Sequence, residues 1–416
     1  MFDQLFRSGA AVRRHLNSPL LQERLDYLRY CANQGYRLRT LHSLASDLLL
    51  IQNLLGLATS SEPIGVETIE AAVDQRLCRR LRHPDHRDSQ RREYLLSCAI
   101  HWLRFLKRLR LPRVAPPVYQ PMKEEFADYL RAEKGLSELT LNVRCRSVED
   151  FLQRFFRNHK SLRQLTIVDL DEAIARKGRD DGYARRTIRR YVSDLRSFVR
   201  YADSRGWCSQ GLAAAMTSPR VCRGESLPRG PFWNDVQRLI ATTEGDRPID
   251  VRDRAILLLL TVYALRSIEV RSLKLDDVDW QRNLLFIPRT KGRRTEPYPL
   301  SPTVGESIVR YLQAVRPRSS YREIFLRMIA PIRPLGRGAV RRIVARRALS
   351  LDPPVVPHGA HALRHACATH LQEQGLSLKE ISDHLGHRNL SSTTVYAPVN
   401  LTGLREVANL NLGGLL

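Results

Sequence analysis

Apolar residues recur three or four positions apart along most of this chain, the spacing of one face of an α-helix. From Leu95 to Leu111 they are interleaved with arginines. Phe126, Tyr129 and Leu130 open one amphipathic helix, and Leu139 to Phe156 predicts a second, with Val143, Val148, Phe151, Leu152 and Phe155 on its apolar side. Ser137 stands three residues before Thr140, so it is an N-cap without a full capping box. Gly182 to Tyr201 predicts a third helix, whose polar face carries Arg185, Arg186, Arg189, Arg190, Arg196 and Arg200. Ala255 to Leu265 reads as a buried helix. Then the period drops to two. Leu284 to Pro288 and Thr295 to Leu300 predict a β-hairpin around a basic tip, Arg289-Thr290-Lys291-Gly292-Arg293-Arg294. Helices resume near Pro302. The expected fold is mainly α with a small antiparallel β-sheet.

Two proline-rich stretches divide the pattern. Leu111 to Gln120 holds three prolines, and Ser218 to Pro231 holds three prolines, two glycines and three arginines. A chain of 416 residues is too long for one ordinary domain. The expected organisation is a helical domain over 1–110, a helical domain over 121–217, a linker over 218–231 and a last domain over 232–416. The linker either crosses a DNA duplex or is a solvated hinge.

Charge changes the picture. The formal net charge is +25 and the isoelectric point about 10.4. A balance of this size bears on partners, and the natural polyanion is nucleic acid. The longest apolar run, around Ala255 to Leu260, is too short to span a bilayer, and Met1 to Ala11 lacks the apolar core of a signal peptide. The reading is cytosolic. Seven scattered cysteines form no C-x-x-C pair, so neither a zinc site nor a disulfide framework is indicated. Of 68 basic residues only eight are lysine. Arginine suits bidentate phosphate contact, although a GC-rich genome explains the bias equally well. The stripe Arg185, Arg186, Arg189, Arg190 is a solvated face or a DNA backbone contact, and in so basic a chain DNA is preferred.

Four segments of the last domain carry chemistry: Ala264 to Val270, the hairpin tip, His361-Ala362-Leu363-Arg364-His365, and Leu385 to Tyr396. Phosphoryl transfer on DNA without a metal spreads negative charge over phosphate oxygens, which fixed guanidiniums stabilise well. It needs a nucleophile, and a phenol serves once its proton is taken. The leaving 5′-hydroxyl needs a proton. Arginine stays protonated at any working pH, so Lys291 on the hairpin is the candidate donor. His361 and Arg364 share a helix face. His387 and Tyr396 are nine apart across turn-forming residues. Each has a plainer reading when taken alone. Tyr396 is then an ordinary core or surface tyrosine, Arg266 and Glu269 a routine ion pair, and Lys291 an exposed turn residue. His358, His361, His365 and His370 have spacings that match no recognised metal set, and His365 reads as a packing or supporting residue. Asp276, Asp277 and Asp279 read as a polar turn before a strand.

Taken together and in this order, Arg266 with Glu269, Lys291, His361 with Arg364, His387 and Tyr396 closely resemble the pattern of the tyrosine recombinase (phage integrase) family. Leu385-Gly386-His387 and Ala368-Thr369-His370 add to the likeness, and residues 121–217 more weakly resemble the family's core-binding domain. The resemblance covers roughly 120 to 410 and leaves 1–110 uncovered, as extra DNA-binding or subunit-contact residues. It implies a helical core-binding domain and a mixed α/β catalytic domain. It implies site-specific strand exchange on double-stranded DNA through a 3′-phosphotyrosyl link and a Holliday junction, by a homo-tetramer on paired sites. Neither metal nor cofactor is expected, and the setting is bacterial nucleoid DNA in the cytoplasm. Integration, excision, transposition and dimer resolution all use this chemistry. By the resemblance Tyr396 is the nucleophile, Arg266 and Arg364 hold the phosphate with His387, His361 handles the tyrosine proton, Lys291 protonates the leaving oxygen, and Glu269 and His365 support. Arg289, Arg293 and Arg294 at the tip are read as DNA contacts. Two departures stand out. Ala264 replaces the family's usual glycine, which predicts a slightly different turn, and Pro398 stands where a histidine is common. The tail Leu401 to Leu416 docks on a neighbouring subunit or finishes its own core. The rival readings are a topoisomerase-like relaxing enzyme and a non-catalytic DNA-binding protein.

Overall fold

The computed structural model describes residues 1–78, 86–111, 115–221, 230–289, 294–356 and 359–386. Lys291, Arg293, His387 and Tyr396, the side chain of Arg294, and the tail from Leu401 lie outside the described residues. The chain forms two compact units. One comprises Met1–Pro112 with Leu227–Leu416, the other Arg113–Ser226.

The second unit is helical. Helices Gln120–Ala132, Glu138–Asn158, Ile167–Arg179 and Arg185–Ser204 close on a core that includes Phe126, Leu130, Val148, Phe151, Leu152, Leu195 and Phe198. Ser137 caps its helix by accepting the Thr140 amide (3.4 Å). Thr166 and Asp169 form a reciprocal capping box. Helix Arg185–Ser204 follows Gly182 at φ +61°, and its exposed face carries Arg185, Arg186, Arg189 and Arg190. Arg196 leaves that stripe. It donates to the carbonyls of Ala213 (3.2 Å) and Met216 (2.7 Å), tying down the chain after the helix.

In the first unit, residues 1–110 form helices, among them Leu21–Asn33, Leu38–Leu54 and His86–Phe105, around Leu28, Leu48, Ile51, Ile69 and Trp102. A two-residue parallel pair, Ile64–Gly65 with Leu109–Arg110, adds a small element that helical periodicity does not reveal. This block meets the 230–386 block, where the Ile332 amide donates to the Gln34 carbonyl (2.9 Å).

Residues 230–386 position the chemistry. Helix Pro248–Val262 is buried almost all round, so its periodicity alone does not mark a face. Its first two turns hold two buried carboxylates: Asp250 pairs with Arg247 and Arg347, and Asp253 with Arg252, Arg346 and Arg347. The hairpin strands are Leu284–Arg289 and Arg294–Pro299, in antiparallel register Leu285↔Tyr298, Ile287↔Glu296 and Arg289↔Arg294. A third strand, Val278–Asp279, joins the edge. Two residues are too few for period two to register, and their surroundings are a turn as expected. Asp277 accepts the Lys274 amide (2.8 Å), and Asp276 pairs with Arg322. Helix Ala360–Glu373 packs on helix Pro248–Val262, and helix Leu378–Leu385 packs on it in turn.

Candidate active site

Helix Pro248–Val262 stops at a sharp corner. Ala264 takes φ +49°, the left-handed region usual for glycine after a helix end, and the Leu265 amide returns to the Leu259 carbonyl (3.4 Å). Alanine was not expected in this region, yet Ala264 adopts the left-handed backbone, at a cost of about 1–2 kcal/mol.

The next residue, Arg266, is the N-cap of helix Ser267–Ser272. Glu269, on the first turn, folds back. It accepts the Arg266 amide at one oxygen (2.8 Å) and the Arg266 guanidinium at the other (2.8 Å). Glu269 is fully buried, whereas the Arg266 side chain remains 30% exposed. A buried carboxylate is tolerated only when paired and hydrogen-bonded, and here it aims a guanidinium that still reaches solvent.

Arg364 rises from helix Ala360–Glu373 and is only 1% exposed. It donates to the Ala264 carbonyl (2.6 Å) and to the Leu385 carbonyl (2.6 Å). One side chain thus joins two helix ends. His361 stands one turn before it and is exposed. Partial burial, then the charges of Arg364 and Arg266, hold His361 below its ordinary value of 6.5. It is neutral at pH 7 and able to accept a proton. The His365 ring meets the His361 ring edge-on at 4.3 Å. His370 is drawn elsewhere, stacked on Trp233 at 4.0 Å.

Helix Leu378–Leu385 is started by a Ser377–Glu380 capping box and ended by Gly386 at φ +60°. A β-carbon on Gly386 would lie 2.5 Å from the Arg289 guanidinium carbon. Glycine is needed here twice, for the left-handed backbone and for the close approach.

Arg289 requires a correction. It was expected to contact DNA from the exposed tip. Instead the alternation along the strand turns Leu285, Ile287 and Arg289 inward together, and Arg289 is 5% exposed. Its guanidinium pairs with Glu296 (2.8 Å) and Glu269 (3.2 Å) and donates to the Tyr298 hydroxyl. Tyr298, kept protonated by burial, donates in turn to the His384 carbonyl (3.1 Å). His384 itself donates Nε2–H to the Val262 carbonyl (2.9 Å). The sequence reading missed Tyr298 and His384. The inward turn of Arg289 was available from the same period-two count that located the strand.

The site thus brings together Arg266, Glu269, His361, Arg364 and His365, with Arg289 beneath them. Arg185, Arg186, Arg189 and Arg190 belong to the other compact unit. This is a cluster of oriented guanidiniums and a neutral imidazole, the equipment of metal-free phosphoryl transfer.

The chain matches the phage integrase family model over residues 233–402 and the N-terminal SAM-like domain of phage integrases over 124–206. It is 36% identical to a putative integrase/recombinase y4rA of Sinorhizobium fredii over 301 residues, 70% of this chain and 71% of that protein. It is 30% identical to the tyrosine recombinase XerD of Listeria innocua over 295 residues, 68% of this chain and 96% of XerD. Among solved structures, XerH site-specific recombinase bound to palindromic difH substrate superposes with a TM-score of 0.55 at 17% identity, covering 85% of this chain and 98% of that one. A lambda integrase dimer bound to a core site gives 0.52 at 17% identity, over 67% of this chain and 95% of that one. The chain belongs to the tyrosine recombinase (phage integrase) family, enzymes that break and rejoin DNA strands. Residues 1–110 lie outside both family models.

Gly386→Ala should lose about 1–2 kcal/mol from the left-handed backbone alone, and more from overlap with Arg289. Gly375→Ala is the control: its φ is +87°, but an added β-carbon there meets nothing within 4 Å. Urea unfolding of both variants tests this, and equal losses would show that the Arg289 contact is slack. A second prediction concerns pH. Because the folded-state value of His361 is depressed, its contribution to stability is fully present above the unfolded value of 6.5 and is lost as pH falls below 6.5 through the lower folded-state value. An NMR titration should place His361 below 6.5 and move it upward in Arg266→Ala; an unmoved midpoint would mean the Arg266 charge is not felt.

Proposed function

We propose that this enzyme is a site-specific recombinase that cuts each DNA strand with Tyr396. The observation that carries the reading is the joint at Arg364, which ties the Arg266 corner to the end of the helix just before His387. Arg266 and Arg364 hold the non-bridging oxygens of the scissile phosphate as negative charge builds up. His361, neutral and beside both, takes the phenolic proton. The Tyr396 oxygen bonds to phosphorus, and the bond from phosphorus to the 5′-oxygen breaks. Lys291 gives its proton to that oxygen, releasing a 5′-hydroxyl, and His387 hydrogen-bonds to the phosphate. The phosphodiester energy stays in the 3′-phosphotyrosyl bond. A 5′-hydroxyl from a second duplex reverses the steps, which needs neither ATP nor metal.

Exchange of two strands and then two more implies a Holliday junction and four subunits on paired sites. The exposed stripe Arg185, Arg186, Arg189 and Arg190, with Arg293 and Arg294 of the hairpin, supplies backbone contacts. The net charge of +25 favours a duplex partner, and we place the enzyme on nucleoid DNA in the cytoplasm. No described helix is long and apolar enough to cross a membrane. Residues 1–110, packed with the catalytic block, add DNA or subunit contacts.

A nicked suicide substrate tests the nucleophile. Wild-type enzyme should be trapped as a covalent protein–DNA adduct and Tyr396→Phe should not; an adduct persisting in Tyr396→Phe would sink the assignment. Lys291 has its own test. Sulfur at the 5′ leaving position departs without a proton, so Lys291→Ala should cleave that substrate at close to the wild-type rate while failing on the oxygen substrate. Failure on both moves the proton donor elsewhere.

A further inference from the structure

Leu285 and Ile287 show what the inward face of strand Leu284–Arg289 ordinarily holds, and the next inward position holds an arginine instead. Burying a guanidinium is unfavourable unless its donors are satisfied, and a leucine would fill the space without that demand. Arg289 is satisfied by three partners on two elements. Nη1 reaches Glu269 on the Arg266 helix (3.2 Å), Nε reaches Glu296 on the partner strand (2.8 Å), and Nη2 reaches the Tyr298 hydroxyl. Its guanidinium carbon lies over the Tyr298 ring, 5.2 Å from the centroid. Its other side backs Gly386, where no β-carbon would fit.

These contacts converge on groups that hold the proposed phosphate clamp. The Glu269 oxygen that Arg289 touches also accepts the Arg266 amide, and its other oxygen orients the Arg266 guanidinium. Gly386 follows Leu385, whose carbonyl holds Arg364. We infer that Arg289 is a positioning residue for strand cleavage, which locks the hairpin, the Arg266–Glu269 corner and the Leu385–Gly386 corner into one geometry without itself touching DNA. The inference rests on the reading of Arg266, Arg364 and Tyr396 above. Lysine cannot replace it fully, because one ammonium cannot serve three planar-fork partners in three directions.

The test uses the full-length protein on the suicide substrate, in single turnovers at saturating DNA, with DNA affinity measured separately. Arg289→Met should slow adduct formation by roughly 10- to 100-fold, the penalty for small misplacement of reacting groups, with DNA affinity unchanged. Arg289→Lys should recover part of the rate. The double variant Arg289→Met/Glu269→Gln should be no slower than the slower single variant, since both disturb one unit. Weakened binding with a normal rate at saturation would make Arg289 a DNA contact. Fully multiplicative effects in the double variant, or a wild-type rate in Arg289→Met, would also overturn the inference. If Arg289→Met does not fold, Tyr298→Phe removes only the bridging hydroxyl and should show the same split between rate and affinity; a normal rate there would overturn it. Tyr396→Phe runs in parallel. Adducts from that variant defeat the underlying reading, whereas its inactivity beside a normal Arg289→Met defeats the Arg289 role alone.

Discussion

Arg364 donates to two main-chain carbonyls, Ala264 and Leu385, and each lies at the C-terminal end of a helix. Helix C-termini carry partial negative charge from their aligned peptide dipoles, so both ends favour the buried cation. Hydrogen bonds to a charged group contribute about 1.5–3 kcal/mol each. The left-handed turn that presents the Ala264 carbonyl costs about 1–2 kcal/mol. Two charge-assisted bonds outweigh one strained residue, which is why an alanine holds a conformation it would not choose alone. The same joint brings Arg266, two residues past Ala264, close enough for both guanidinium charges to act on His361.

A second layer supports this one. Glu269 lies under Arg266, and Arg289 lies under Glu269. Taken singly, each is a buried charge that would destabilise the domain. Taken as a chain they neutralise one another and leave only Arg266 partly open to solvent. Such a network adds little stability over a packed apolar core. What it adds is direction: a guanidinium on a flexible stem is held in one orientation by a carboxylate that is itself held from two sides.

Much of this was legible in the residues. The hairpin came from a change of period at Leu284, the middle helices from apolar stripes, and the grouping of Arg266, Glu269, His361 and Arg364 from their order in the family resemblance; Lys291, His387 and Tyr396 lie outside the described residues. What stayed hidden has physical causes. Helix Pro248–Val262 is buried on nearly every side, so periodicity could not place its start. Val278–Asp279 is too short to alternate. Arg289 was grouped with its basic neighbours by composition, although the strand's own alternation pointed it inward. Arg196 looked like part of a DNA-facing stripe because helix geometry cannot show that two carbonyls seventeen and twenty residues later would claim it.

The position of these anchors along the chain also bears on mechanism. Arg289 and Gly386 touch each other's surroundings, and each immediately precedes a segment carrying a proposed reactive group: Lys291 after the first, His387 and Tyr396 after the second. Phosphoryl transfer between strands requires the nucleophile and the leaving oxygen, with its proton donor, to stand on opposite sides of one phosphorus atom. Two segments far apart in sequence must therefore share a frame. A guanidinium wedged between the hairpin base and the Leu385–Gly386 corner supplies that frame within the protein, before any DNA is bound. Preorganisation of this kind lets a buried charge that does not react, Arg289, fix the geometry of the groups that do.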